Sequence, residues 1–120
     1  MAKYPRLESL KTINQAMGRY YLKRKLMARV RPVAYVTSGA PVEILEAMGL
    51  LTVYPENYGA LCGARRDAVS LCQISERAGY SQDLCSYARG HIGSVMDPDS
   101  APLKGLPKPD LLLCCNNICG

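Results

Sequence analysis

Residues 33–54, VAYVTSGAPVEILEAMGLLTVY, have the pattern of a strand, a helix and a second strand. The apolar, β-rich run 33–36 predicts the first strand, and the run 50–54 predicts the second. Pro41 favours the first turn of a helix, where its missing N–H is not needed, and Gly49 favours the helix end. A strand, a helix and a strand in this order predict a βαβ unit, and therefore a parallel sheet with a right-handed crossover.

The rest of the chain extends this unit. Apolar spacing predicts a helix over 64–79, and a second short helix over 81–90 with Ser81 as its possible N-cap. Residues 94–109 contain four prolines, which predict an irregular segment. The apolar run 111–115 predicts a third, buried strand. The sequence thus predicts an α/β domain built on an open parallel sheet.

A basic helix is predicted ahead of this domain, over residues 7–29. Residues 1–31 hold nine of the fifteen basic side chains and only one of the ten acidic ones. We therefore divide the chain into a basic N-terminal helix, 1–31, and an α/β domain, 32–120. The basic face suits a solvated helix packed on the domain, an acidic ligand such as a phosphate, or a nucleic acid. No recognised nucleic-acid-binding motif accompanies it, so no nucleic-acid partner is expected.

Composition excludes two classes of protein. The chain has 120 residues, 48% of them hydrophobic and 21% charged, which is typical of one globular domain and excludes a disordered tail. No apolar run approaches the roughly 20 residues of a membrane span, so no membrane partner is expected. The N-terminus lacks a signal-peptide pattern, which predicts a cytoplasmic protein whose thiols stay free, bind metal or do chemistry.

The carboxyl ends of parallel strands are where ligands bind in open α/β sheets. Residues 37–39, 55–57 and 116–119 follow the three predicted strands. Ser38 and Glu56 are therefore candidates to face one another, the first as a hydrogen-bond donor to a carbonyl and the second as an acid or base. Two plainer roles stay open: Ser38 as a helix cap, and Glu56 as an ordinary loop carboxylate.

The six cysteines fall into two groups. Cys85 and Cys119 lie at predicted loop or helix edges beside polar residues, where a thiolate could hold an iron–sulfur cluster. The other four fall in predicted helices or in the third strand, where buried structural thiols are common: Cys62, Cys72, Cys114 and Cys115. No C-x-x-C motif occurs, so structural thiols and cluster ligands both stay open. His91 is the only histidine, which excludes histidine-rich zinc sites.

Several ordered motifs carry a resemblance to a known family. They are PVEIL at 41–45, VYPEN at 53–57, GYSQDLCSYAR at 79–89, LPKPD at 106–110 and CCNNICG at 114–120. In order and spacing they resemble the N-terminal third of the 2-hydroxyacyl-CoA dehydratase / benzoyl-CoA reductase family. This resemblance covers about residues 30–120.

The resemblance implies a fold, a cofactor and a set of partners. Such subunits have Rossmann-like α/β domains, hold a [4Fe-4S] cluster by three cysteines and leave one iron open. The implied partners are a homologous second subunit, an ATP-dependent iron–sulfur activator that delivers a low-potential electron, and an acyl-CoA substrate.

Residue by residue, the resemblance assigns Cys85 and Cys119 as the first two cluster ligands and expects the third beyond residue 120. It places Ser38 and Glu56 at positions that line the substrate pocket. The ending at 114–120 favours the function of a benzoyl-CoA reductase subunit, of the B type. A 2-hydroxyacyl-CoA dehydratase subunit is the alternative, and a non-catalytic binding module using the basic helix is an alternative of another class.

Overall fold

A computed structural model describes residues 7–116 as helices on both sides of a short parallel sheet. The elements are, in chain order, α1 (Glu8–Met27), β1 (Val33–Val36), α2 (Val42–Ala47), β2 (Leu51–Val53), α3 (Pro55–Ala64), α4 (Ala68–Arg77), α5 (Ser86–Met96), a 3₁₀ turn (Pro102–Lys104) and β3 (Leu111–Leu113).

The three strands form one parallel sheet in the order β2-β1-β3. Val33 pairs with Leu51 on one side of β1, and Ala34 pairs with Leu111 on the other. The chain passes through α2 to reach β2, then returns across β1 to form β3 on the far side. The predicted α/β fold with a partial Rossmann-like sheet is confirmed, and a crevice at the carboxyl edge beside β1 follows from this strand order.

Alternate residues of β1 face different helices, because successive side chains of a strand point to opposite sides of a sheet. Val33 and Tyr35 pack with the end of α1, whereas Ala34 and Val36 pack with Leu45 of α2. All four side chains of β1 are buried. This two-sided burial explains why the sequence of β1 is a continuous apolar run.

The helix α3 was not predicted, since Pro55, Glu56 and Asn57 have the composition of a turn. In the structure Pro55 occupies the first turn of a helix, where proline is favoured. Tyr58 and Cys62, one helical turn apart, are fully buried. Their burial stabilises α3 and places Glu56 on a helix instead of in a loop.

The remaining helix boundaries differ from the predicted ones in three places. The predicted helix 64–79 is confirmed only over α4. The predicted helix 81–90 starts instead at Ser86, because the hydroxyl of Ser81 accepts a hydrogen bond from the N–H of Asp83 at 3.1 Å, which forms a turn. The helix α5 then runs to Met96, so the predicted irregular segment 94–109 starts too early and also contains the 3₁₀ turn.

The third strand is shorter and more exposed than predicted. It ends at Leu113, and Leu112 is 67% exposed. Cys114 and Cys115 lie after the strand; Cys114 is exposed and Cys115 half-buried, so the prediction that both belong to the core is wrong. The reason is that β3 pairs with β1 on one side and forms the edge of the sheet described for residues 7–116.

The helix α1 confirms the predicted N-terminal helix but not the distribution of its faces. Of its apolar residues only Tyr21 is buried, while Leu10 and Ile13 are exposed. Arg24, one of the basic residues of α1, donates through Nε to the Thr52 carbonyl at 3.1 Å. Lys25 likewise donates to two carbonyls of the 3₁₀ turn. Part of the basic face therefore holds α1 onto the domain.

Glycines allow α5 to approach its neighbours closely. A Cβ built on Gly93 would lie 2.0 Å from the Leu71 carbonyl oxygen of α4. A Cβ built on Gly59 of α3 would lie 3.1 Å from Cβ of Tyr87. These approaches fix the start of α5 beside α3, near the carboxyl edge of the sheet.

Over residues 7–116, none of the helices combines the length and apolar character needed to cross a membrane.

Candidate functional site

A cavity of about 440 Å³ opens where the first two strands end. Its walls come from the loop after β1, the start of α3 and the first turn of α5. The lining residues are Thr37, Ser38, Gly39, Ala40, Val42, Tyr54, Glu56, Asn57, Ala60 and Tyr87. Ser38 and Glu56, the two predicted pocket residues, thus line the same cavity.

Ser38 lies in the loop between β1 and α2. The helix α2 begins after Pro41 and has no side-chain cap, so the alternative role of Ser38 as a helix cap is wrong. Gly39 adopts φ +83°, a left-handed conformation that favours glycine and turns the chain directly after Ser38. The exposed Ser38 hydroxyl makes no hydrogen bond with any residue between 7 and 116, which leaves it available to a ligand.

Glu56 lies in the first turn of α3. Its carboxylate is exposed and forms no ion pair within the part of the chain that the structure describes. The partial positive charge of a helix N-terminus stabilises a carboxylate at this position. The cavity is therefore lined by Ser38, whose hydroxyl is unpaired within residues 7–116, from the first strand end and by the carboxylate of Glu56 from the second.

The segment after β3 is attached to the same edge of the sheet. The N–H of Cys115 donates to Oγ1 of Thr37 at 2.7 Å, and the N–H of Thr37 donates to the Leu113 carbonyl at 3.2 Å. Thr37 is also a cavity residue. Cys119, the second predicted cluster ligand, lies outside the described residues 7–116.

Cys85, the first predicted cluster ligand, is an exposed free cysteine at the N-cap of α5. Tyr87, two residues further along α5, lines the cavity. The only sequence signal for Tyr87 is its place in the 79–89 motif. Its location at the cavity cannot be read from the sequence, because it depends on where α5 starts.

The donor chemistry of Cys85 fits an iron–sulfur ligand. Its thiol is accessible, and the N-terminal N–H groups of α5 carry partial positive charge that stabilises an anionic ligand. Between residues 7 and 116, no group of three or more His, Cys, Asp or Glu side chains comes together that could hold a metal ion. Cys85 is thus one suitable ligand in this region and not a complete ligand set.

The cysteines predicted to be structural in helices are buried, as expected. Burial raises the pKa of the Cys62 thiol, as is typical of a structural cysteine in a packed core. The Cys72 thiol donates to the Ser86 carbonyl at 3.5 Å and so supports the backbone next to Cys85.

His91 has surroundings typical of a structural residue. Burial lowers the pKa of its imidazole, and its ring packs edge-on against Tyr35 with ring centroids 5.3 Å apart. It is not among the cavity residues.

Comparison with known proteins identifies related enzyme subunits. Residues 37–120 match the family described as 2-hydroxyglutaryl-CoA dehydratase, D-component. The chain is 40% identical over 113 residues to the (R)-2-hydroxyisocaproyl-CoA dehydratase alpha subunit of Clostridioides difficile, which covers 93% of this chain and 28% of that protein. It is 41% identical over 91 residues to the (R)-phenyllactyl-CoA dehydratase alpha subunit of Clostridium sporogenes, covering 76% and 22%.

A reductase subunit is also similar. The B-type subunit of benzoyl-CoA reductase from Thauera aromatica is 31% identical over 72 residues, covering 59% of this chain and 17% of that protein. The chain spans no more than 28% of the length of these curated relatives. With a match over residues 37–120, the chain belongs to the 2-hydroxyglutaryl-CoA dehydratase D-component family of enzyme subunits.

Proposed function

We propose that this chain forms part of a subunit that dehydrates a 2-hydroxyacyl-CoA thioester, with Ser38 and Glu56 in contact with the acyl group. The observation that carries the proposal is the shared cavity: two polar side chains from separate strand ends line one space of about 440 Å³. The dehydratase names of the relatives at 40% and 41% identity support the same reaction class.

Ser38 supplies a hydrogen-bond donor. Its hydroxyl has no partner within residues 7–116, so it is free to donate to the carbonyl oxygen of a thioester. Negative charge develops on that oxygen when the thioester is reduced or deprotonated next to the carbonyl. A donor aimed at this oxygen stabilises the charge where it develops.

Glu56 supplies a proton-transfer group. Glu56 lines the same cavity as Ser38, from the first turn of α3, and we assign its carboxyl group to proton transfer at the hydroxyl group of the substrate. Loss of a hydroxyl as water requires a proton, and a positioned carboxyl group transfers one more readily than bulk water does.

The proposed cofactor is a [4Fe-4S] cluster held by Cys85 and Cys119, with a third thiolate from outside these 120 residues. When bound, such a cluster supplies a one-electron redox centre and an iron with an open coordination position. The proposal also includes an acyl-CoA substrate, a homologous second subunit and an ATP-dependent activator protein. The second subunit is supported by the names of the relatives, which are alpha subunits of their enzymes.

A benzoyl-CoA reductase subunit is the second candidate. The CCNNICG ending at 114–120 favours it in the sequence, and the similarity to the B-type subunit of a benzoyl-CoA reductase supports it. The identity to that reductase subunit is 31%, against 40% and 41% for the two dehydratase subunits, so we place the dehydratase first.

A role for α1 as a non-catalytic basic binding helix has less support. Arg24 and Lys25 are engaged with carbonyl groups of this same chain. These two cations are therefore less available to an acidic partner.

The test uses the full-length subunit, purified without oxygen together with its second subunit and activator. We expect turnover of (R)-2-hydroxyisocaproyl-CoA or a related 2-hydroxyacyl-CoA and no reduction of benzoyl-CoA. Reduction of benzoyl-CoA without dehydration of any 2-hydroxyacyl-CoA would instead establish the second candidate.

The cluster assignment has its own control within the chain. Cys85→Ser is expected to remove the visible absorption of the cluster, whereas Cys114→Ser, at another exposed cysteine, is expected to retain it. Retention of an unchanged cluster in Cys85→Ser would show that Cys85 is not a ligand.

A further inference from the structure

We infer that Arg89 is a positioning residue for the Cys85 thiol, and that Glu76 holds Arg89 in place. This inference rests on the proposed role of Cys85 as a cluster ligand. It concerns three hydrogen bonds that fix the backbone on both sides of Cys85.

The segment between α4 and α5 is a series of turns that ends at Cys85. Gly79 ends α4 with φ +100°, and the N–H of Tyr80 donates back to the Ser75 carbonyl at 3.2 Å. The N–H of Leu84 donates to the Ser81 carbonyl at 3.2 Å. Residues 81–86, which precede the close contact of Tyr87 with Gly59, are all exposed, so packing of their side chains contributes little to holding this segment.

Arg89 compensates for this lack of packing. Its Nε donates to the Leu84 carbonyl at 2.8 Å, one residue before Cys85. Its backbone N–H donates to the carbonyl of Cys85 at 2.9 Å, as the first main-chain hydrogen bond of α5. The Arg89 side chain therefore extends the hydrogen bonding of α5 by one residue, to the carbonyl of Leu84.

Cys72 of α4 holds the third carbonyl. Its thiol donates to the Ser86 carbonyl at 3.5 Å. Leu84, Cys85 and Ser86 thus all have their carbonyl groups engaged. The Cys85 side chain itself is exposed and forms no disulfide.

Glu76 of α4 keeps the Arg89 guanidinium in this geometry. The Nη1 of Arg89 and the Oε1 of Glu76 form an ion pair whose side chains are only 18% and 21% exposed. The other ion pairs of residues 7–116, Lys11–Glu8 and Lys104–Asp99, are much more exposed. Water and salt screen a partly buried pair less than an exposed one, so the Arg89–Glu76 pair is the one able to fix a side chain.

The expected consequence concerns how firmly iron is held. Groups that orient a metal ligand from behind commonly change metal affinity or activity by about 10- to 100-fold when they are removed.

The test compares variants of the full-length subunit in its anaerobic complex. Arg89→Gln removes the charge and the Nε donor, and Arg89→Lys keeps the charge but lacks the planar guanidinium that bonds Leu84 and Glu76 together. Glu76→Gln removes the negative charge that pairs with Arg89, while its amide oxygen can still accept the hydrogen bond that the Gln82 side chain donates to Glu76 Oε2 at 3.5 Å. Arg77→Gln is the matched control for Arg89→Gln, because both substitutions remove one positive charge. Arg77 is exposed and lies next to Glu76 on α4.

Two readouts other than activity separate positioning from general stability. One is the rate at which an iron chelator removes the cluster, and the other is hydrogen exchange of amides 81–86 in the metal-free protein. In Arg89→Gln we expect the rate of iron loss to rise by about 10-fold or more, and the local hydrogen exchange to become faster. We expect smaller increases of both rates in Arg89→Lys and Glu76→Gln. In Arg77→Gln both rates should equal those of the wild type. Exchange in α3 should stay unchanged, which shows that the fold is intact.

Wild-type iron loss in both Arg89→Gln and Glu76→Gln would overturn the inference. That result is distinguishable from failure of the proposed function. If Cys85→Ser keeps its cluster, the ligand assignment fails; if Cys85→Ser loses the cluster while Arg89→Gln retains it normally, only the positioning role of Arg89 fails.

Discussion

Gly59 of α3 lies against Tyr87 of α5 so closely that a Cβ on Gly59 would be 3.1 Å from Cβ of Tyr87 and 3.2 Å from its Cα and carbonyl oxygen. This approach brings the first turn of α5 to the cavity that Ser38 and Glu56 also line. Two of these three Tyr87 atoms, the Cα and the carbonyl oxygen, belong to the backbone of α5. They cannot rotate away from an added Cβ as the end of a long side chain could. The geometry of the cavity therefore depends on residue 59 having no side chain.

We expect Gly59→Ala to destabilise the fold by about 1 kcal/mol, because overpacking exceeds the gain in helix propensity. It should also weaken substrate binding by displacing Tyr87. Gly63→Ala is the control on the same helix, since nothing lies within 4 Å of its added Cβ. Urea unfolding of both variants checks this, and equal stability of the two would contradict the packing explanation.

A second glycine sets the distance between α4 and α5. A Cβ on Gly93 would lie 2.0 Å from the Leu71 carbonyl oxygen, so Gly93→Ala must push the helices apart. We expect a loss of about 3 kcal/mol or more. Gly90→Ala on the same face should be tolerated, because its nearest neighbour, Sγ of Cys72, is 4.0 Å away. Thermal unfolding distinguishes them; a stable Gly93→Ala variant would be inconsistent with this helix contact.

Prediction from sequence succeeded where a feature depends on neighbouring residues. The strand β1 was predictable because its residues form one continuous apolar run. The shared location of Ser38 and Glu56 was predictable because each follows a strand, and parallel strands end at the same edge of a sheet. The helix α3 was missed because Pro55, Glu56 and Asn57 suit a turn and a helix start equally well. Only the burial of Tyr58 decides between them, and that burial depends on distant residues.

The error in α1 has the same cause, whereas the error in α5 comes from a local choice between two turn geometries. Arg24 donates to a carbonyl 28 residues away, and Lys25 to one 78 residues away, which helical periodicity cannot reveal. The start of α5 depends on whether Ser81 caps a helix or forms a turn with Asp83. Tyr87 was overlooked as a site residue because its position depends on that choice.

The structural role of Arg24 leads to a further prediction. Arg24 lies with its guanidinium carbon 3.7 Å from the centre of the Tyr20 ring and also bonds the Thr52 carbonyl. Arg24→Gln should destabilise the fold by about 1 kcal/mol, whereas Arg19→Gln on the exposed surface should have little effect. Denaturant unfolding checks both. Equal, negligible effects would mean that the basic residues of α1 are free to bind a partner.

Stability should fall at alkaline pH because buried tyrosines resist ionisation. Burial raises the pKa of Tyr35 to about 12, and its hydroxyl donates to the Pro107 carbonyl at 2.8 Å. The unfolded chain loses this proton near pH 10, so the contribution of Tyr35 is complete below pH 10 and is lost as the pH rises toward 12. The full contribution is about 3 kcal/mol.

Unfolding free energies measured between pH 9 and about pH 12 test this sign. Tyr35→Phe should flatten the decline, while Tyr80→Phe, at an exposed tyrosine, should leave it unchanged. Tyr21 keeps some of the slope in both variants, because burial also raises its pKa to about 12. An identical decline in wild type and Tyr35→Phe would be evidence against this contribution.

The most direct test of the proposed site is the kcat for dehydration of a 2-hydroxyacyl-CoA by Glu56→Gln in the reconstituted complex. A positioned acid or base contributes about 10²- to 10⁴-fold, so kcat should fall by at least about 100-fold with the cluster intact. Glu43→Gln, an exposed carboxylate on α2, should retain wild-type kcat. A wild-type kcat in Glu56→Gln, measured at saturating substrate, would contradict the proposed role of the cavity.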